Sequence, residues 1–115
     1  MGDLSANFSR SEFRCKCGCG ADQIDPMLIN ALEAVRKAIG NNSISVLSGV
    51  RCESHNKYVG GAKNSQHLKG TAADIKCAIP AKILADIINV NLNVGGLGVY
   101  PGFVHIDIRT TRARW

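Results

Sequence analysis

The chain has 115 residues, of which 45% are hydrophobic and 20% charged, and its 14 Lys and Arg outnumber 9 Asp and Glu for a net charge of +5. That length suits one domain, residues 1–115, with a core able to stand without disulfide staples. The composition reads as a soluble globular protein, and no apolar run approaches the roughly 18 residues of a membrane span. The opening MGDLSANFSRSEF has no basic region followed by an apolar one, so the expectation is cytoplasmic synthesis without a secretory signal. The positive balance suits an acidic partner such as a nucleic acid or an anionic cell envelope, and equally well suits simple solubility.

The first notable stretch in chain order is CKCGCG, which carries Cys15, Cys17 and Cys19. An odd total of five cysteines argues against a fully paired disulfide framework, so free or partly buried thiols are expected. The alternatives are a soft-metal set completed by Cys52 or Cys77, or a bridge between those two. Asp25 followed by Pro26 is an N-cap and first-turn signal, and Leu28, Leu32, Val35 and Ile39 recur at helical spacing until Gly40. Residues 43–50, SISVLSGV, have the β-branched content of a strand. Residues 51–70 read as an irregular, mostly exposed connection with about one helical turn. TAADIKC is a strand with Ala73, Ile75 and Cys77 on one face and Asp74 and Lys76 on the other. Pro80 opens a second helix with Ile83, Leu84, Ile87 and Ile88 as its stripe. NVGGLGVY supplies a glycine-rich turn and a strand. In FVHIDIR, Val104, Ile106 and Ile108 face the core, while His105, Asp107 and Arg109 share the opposite face. This irregular alternation predicts an α+β fold with a small, mainly antiparallel sheet flanked by helices.

Two histidines and a carboxylate are the ligand set of many catalytic zinc sites. His67, Asp74 and His105 fit it if the strands bearing Asp74 and His105 are neighbours. Gly70 allows the turn that brings His67 back over Asp74, and Ala72 and Ala73 leave room. Each residue also has an ordinary reading, since an outward-facing strand histidine is usually solvated and an aspartate near a turn is commonly a cap. The combination of H-x6-D with a later H-x-D carries more weight than either part.

The stretch SGVRCESHNKYVGGAKNSQHLKGTAADIK, with GGLGVYPGFVHIDIR and RARW, resembles the zinc D-alanyl-D-alanine metallopeptidases. That group includes D-Ala-D-Ala carboxypeptidases, murein endopeptidases and phage endolysins. Its signature S-x-H-x-x-G-x-A-x-D with a later histidine is matched by Ser65, His67, Gly70, Ala72, Asp74 and His105, and FSRSEFRCKCGCG resembles the start of the short single-domain members. The resemblance implies a Hedgehog/DD-peptidase-like fold, Zn2+ bound by His67, Asp74 and His105, and Arg51 holding a carbonyl or carboxylate of a peptidoglycan stem peptide. Zinc chemistry and the planar guanidinium fork suit those roles. Where many members carry an acid three positions before the last zinc histidine, this chain has Gly102. Asp107 is the expected replacement as general base, since it shares a strand face with His105. It could instead orient a ligand histidine or replace His105 in the metal shell. Ser65 is expected to support the ligand loop beside the substrate, and His55 to line the cleft near Arg51 unless it is a solvated loop residue.

The resulting expectation is a monomeric zinc peptidase that hydrolyses a stem-peptide bond next to a D-amino acid at the cell wall, in a setting that suits a phage or prophage lysis protein. The rival is a cell-wall binding or morphogenetic module that keeps zinc without catalysis. Nucleic-acid binding through RTTRARW is disfavoured, because a single aromatic accompanies its arginines.

Overall fold

A computed structural model describes residues 4–63 and 65–115 of the chain; Met1–Asp3 and Asn64 lie outside the description. A 3-10 helix, Arg10–Phe13, precedes helix α1, Pro26–Ala38, whose Asp25 side chain accepts a hydrogen bond from the Met27 N–H at 2.8 Å. Strand β1 spans Ser45–Ser48 and the short helix α2 spans Glu53–Tyr58. A second 3-10 turn, Gln66–Lys69, leads into β2, Ala72–Lys76. Helix α3, Ala81–Asn91, is followed by β3, Gly96–Tyr100, β4, Phe103–Asp107, and the two-residue β5, Ala113–Arg114.

The sheet order is β1-β2-β4-β3-β5. Pairs β1–β2, β2–β4 and β3–β4 are antiparallel, and β5 lies parallel to β3, so the expected α+β architecture holds with a mixed sheet. One sheet face supplies Ala73, Ile75, Leu97, Val104 and Ile106 to a single apolar cluster with Leu28, Leu32 and Val35 of α1 and Leu84 and Ile88 of α3. Burial of such aliphatic side chains, each contributing about 1.5–3 kcal/mol, is the main stabilising term.

Of the expected α3 stripe, Leu84 and Ile88 are buried and Ile87 packs partly buried against the core, while Ile83 departs from it. Leu84, Ala85 and Ile88 are buried and Ala81 is partly so, an i, i+3, i+4, i+7 set, whereas Ile83 is 52% exposed. Side-chain size misled the sequence reading, because small Ala85 takes the inward position. The connection over 51–70 holds more order than one helical turn, namely α2 and the Gln66–Lys69 turn.

The strand face opposite the core is not solvated. Asp74, His105 and Asp107 are all buried there. Neighbouring pairs Asp74–His105 and Ala72–Asp107 lie in register across β2 and β4, which settles the adjacency that the site requires.

Gly70 closes the turn carrying His67 in the left-handed region, at φ +70°. Its carbonyl accepts the Asp25 N–H at 2.9 Å, and a Cβ there would collide with the Gln23 carbonyl. Gly70→Ala is therefore expected to destabilise the protein by more than the roughly 1–2 kcal/mol of left-handed strain alone. The urea midpoint should fall with little change in slope; an unchanged midpoint would refute this account of the turn.

Candidate metal centre

His67 is presented by the Gln66–Lys69 turn, whose N-cap Ser65 accepts the His67 N–H on its hydroxyl at 3.2 Å. Asp74 comes from β2 and His105 from β4. His67 Nε2 lies 3.3 Å and His105 Nδ1 lies 3.1 Å from Asp74 Oδ1. The three ligand-type atoms fall within 4.8 Å of one another.

The other nitrogen of each ring fixes its tautomer. His67 Nδ1 is 2.7 Å from the Gly49 carbonyl, which can only accept, so Nδ1 carries the proton. His105 Nε2 is 2.7 Å from the Asp107 carboxylate and likewise donates. In neutral rings both remaining lone pairs then point at Asp74 Oδ1. Three acceptors facing one another repel unless a positive charge lies among them. Without a metal, that charge is a proton: burial opposes ionisation of His105, but hydrogen bonds to Asp107 and Asp74 and the charges of both carboxylates raise its pKa. Burial also disfavours the Asp74 carboxylate, yet hydrogen bonds and charge from His105 and His67 hold it well below the usual range. A divalent cation satisfies the same donors, and one carboxylate with two correctly tautomerised imidazoles is a zinc donor set.

Asp107 does not sit where a general base must. It is fully buried behind His105, away from the cleft wall, with both oxygens engaged. Arg109 Nε donates to Oδ1 at 2.9 Å, and Arg109 Nη2 donates to Oδ2 at 2.7 Å. Burial raises its pKa, but bonds from His105 and Arg109 prevail and keep it ionised. Strand alternation gave the face correctly and said nothing of depth. The geometry is that of a carboxylate holding the His105 ring from behind, with His105 itself, rather than Asp107, against Asp74.

Arg51 reaches the site, with Nη2 3.5 Å from Asp74 Oδ2 and Nη1 donating to the buried Asn56 Oδ1 at 3.2 Å. Asn56 was not singled out in the sequence; its signal, a polar residue on the inner side of a short helix, is visible only once α2 is placed. His55 is not on the cleft wall and stacks on Tyr58 with ring centroids 6.3 Å apart.

A cleft of about 460 Å³ opens over the centre and is lined by Arg51, Ser65, His67, Asp74 and His105. Tyr100, Phe103 and Trp115 line the same cleft. Tyr100 and Phe103 stack at 4.8 Å, and the Trp115 indole N–H donates to the Tyr100 hydroxyl at 2.6 Å. Pairing of β5 with β3 holds Trp115, whose N–H donates to Leu97 O at 3.1 Å and whose carbonyl accepts the Val99 N–H at 2.8 Å. The RTTRARW arginines serve this arrangement: Arg114 binds the Gly95 and Val94 carbonyls, and Arg109 lies under the Trp115 ring at 5.2 Å. The glycines of GLGVY make room for it. Gly96 lies opposite Asp107 and Gly98 opposite His105, and a Cβ on either would strike the Asp107 carboxylate or the Trp115 ring.

The sequence pattern described as Peptidase M15 matches residues 6–107. The probable peptidoglycan L,D-endopeptidase MepK of Haemophilus influenzae is 33% identical over 99 residues, covering 78% of this chain and 53% of that protein. The zinc D-Ala-D-Ala carboxypeptidase of Streptomyces albus G is 48% identical over 44 residues, covering 38% of this chain and 17% of that protein. The chain thus spans about half the length of the first relative and a smaller share of the second.

Replacing Asp107 by Asn keeps the shape and removes the charge that orients His105. Zinc affinity, measured by competition with a chromophoric chelator, is expected to fall about 10–100-fold; an unaltered affinity would rule out this positioning role.

Proposed function

The chain belongs to the peptidase M15 family, and from that premise we propose that it is a zinc-dependent peptidase of peptidoglycan stem peptides, with a DD-peptidase-like fold and its action at the cell wall. The observation that carries this reading is the convergence of His67 Nε2, Asp74 Oδ1 and His105 Nδ1 at the floor of a cleft. Zinc held by these atoms would polarise the scissile carbonyl and acidify a water near neutral pH.

The chain's own residues supply the rest. Arg51, fixed by Asn56 and adjoining Asp74, offers a permanently charged fork to a substrate carbonyl or carboxylate. The Tyr100, Phe103 and Trp115 side chains offer aromatic surface to the peptide within the cleft. Ser65 holds the His67 turn, and Asp107 with Arg109 holds the His105 ring. We place cleavage next to a D-amino acid, and the longer match to a protein named as an L,D-endopeptidase favours an internal bond over a terminal one.

One observation favours the second reading, a zinc-containing module that binds the wall without cutting it. Among the described residues lining the cleft, Asp74 is the only carboxylate, and its depressed pKa makes it a poor proton acceptor. The usual acidic position is Gly102 and Asp107 is already engaged.

Release of new amines from purified peptidoglycan distinguishes the two. The peptidase reading expects release that a chelator abolishes and added zinc restores. Arg51→Ala is expected to lower kcat/KM by roughly 10²–10³-fold, the scale for loss of one charge-stabilising donor, with partial recovery in Arg51→Lys. Metal-replete protein that binds peptidoglycan and releases nothing would replace the peptidase reading with the binding module.

A further inference from the structure

We infer that Cys15, Cys17, Cys19 and Cys52 form a second centre, a closed structural site for a soft divalent cation, zinc foremost. The four sulfurs come from two chain segments, and all lie within 4.8 Å of one another. Cys15 and Cys17 Sγ are 3.5 Å apart, Cys17 and Cys52 are 3.5 Å apart, and Cys15 and Cys52 are 3.8 Å apart. A tetrahedral zinc with Zn–S bonds of about 2.3 Å separates its sulfurs by about 3.8 Å. A disulfide needs about 2.05 Å, far less than any of these separations.

Backbone donors already point at the sulfurs. The Cys52 N–H lies 3.4 Å from Cys15 Sγ, the His55 N–H lies 3.4 Å from Cys52 Sγ, and the Ala21 N–H lies 3.5 Å from Cys19 Sγ. Such backbone donors are the partners that metal-bound sulfurs take in their surroundings, and the four sulfurs already stand at the spacing of a tetrahedral shell. The fifth cysteine, Cys77, is elsewhere, with its Sγ 3.9 Å from the Ile79 carbonyl. Four protein ligands leave no open position, so the site is structural, unlike the three-ligand centre in the cleft.

Its consequence for the fold is local and specific. Cys52 caps α2 and follows Arg51 directly. The Phe13 carbonyl accepts the Val50 N–H at 2.8 Å, and the Arg51 N–H donates to the His67 carbonyl at 3.0 Å. A cation joining Cys15, Cys17 and Cys19 to Cys52 therefore clamps the N-terminal segment onto the loop that supplies both Arg51 and the Gly49 carbonyl. This inference stands on the thiol geometry alone and is independent of the peptidase reading.

The test is cobalt substitution of the full chain. Co2+ is expected to give intense thiolate-to-cobalt charge-transfer absorption in the near ultraviolet. That absorption should be lost in Cys17→Ser/Cys52→Ser and retained in Asp74→Ala, and bound zinc should drop by about one equivalent in the double variant. Wild-type protein gives a second readout that needs no variant. Bound zinc should shield Cys15, Cys17, Cys19 and Cys52 from iodoacetamide while Cys77 reacts, and a strong chelator should remove the shielding. Absence of the sulfur band, equal alkylation of the four thiols with and without metal, or a Cys15–Cys52 disulfide in the purified protein would overturn the site.

Discussion

Three acceptor atoms face one another at the base of the cleft because the second nitrogen of each imidazole is already committed. The Gly49 carbonyl accepts a hydrogen bond from His67 Nδ1–H and the Asp107 carboxylate accepts one from His105 Nε2–H. With both tautomers fixed, the lone pairs that remain have one direction available, toward Asp74 Oδ1. Much of the surrounding sequence serves this constraint. Arg109 neutralises Asp107, Gly96 leaves space for its carboxylate, and β5 brings Trp115 across the His105 ring at 5.1 Å. A fully buried Asp107 without such partners would carry an uncompensated desolvation penalty of several kcal/mol.

The sheet separates stability from chemistry by its two faces. One face of β2, β3 and β4 packs against the helices with aliphatic side chains alone, and the other carries every titratable group of the cleft centre that a strand contributes. On that second face the buried carboxylates and imidazoles are paired with one another, and Asp107 also with Arg109. Burial alone would shift each group the other way, and these hydrogen bonds and charges outweigh it, which lowers the pKa of both carboxylates and raises that of His105. The sheet order matters as much as the pleat, since the antiparallel β2–β4 pairing alone sets Asp74 beside His105.

Local signals in the sequence were sufficient for α1, for strands β1 to β4 and for which side of β2 and β4 meets the core, while the two-residue β5 carried no such signal. The Asp25-Pro26 start and the Leu28–Ile39 spacing need no tertiary information. Two kinds of fact did not lie in local pattern. One is depth: alternation places Asp107 and His105 on one face but does not show that the Arg109 guanidinium closes over Asp107, which turns an expected proton acceptor into a buried orienting group. The other is long-range assembly. Cys52 meets Cys15 and Cys17 across a separation of 35 or more residues, and neither spacing nor count distinguished it from Cys77. Helix α3 departs at one position for a simpler reason, as Ala85 takes an inward place and the more apolar Ile83 faces out.

The cleft centre and the cysteine cluster meet at residues 49–52, where one short loop orients His67, presents Arg51 and ends in Cys52. The cleft centre is arranged as a cation site, with His67, Asp74 and His105 as its donors. The most direct measurement is anomalous diffraction at the zinc edge from crystals grown with zinc. A peak should lie about 2.0–2.2 Å from His67 Nε2, Asp74 Oδ1 and His105 Nδ1, with Asp107 still bonded to the far side of the His105 ring. Fully occupied zinc elsewhere in the molecule and no peak among these three atoms would contradict it.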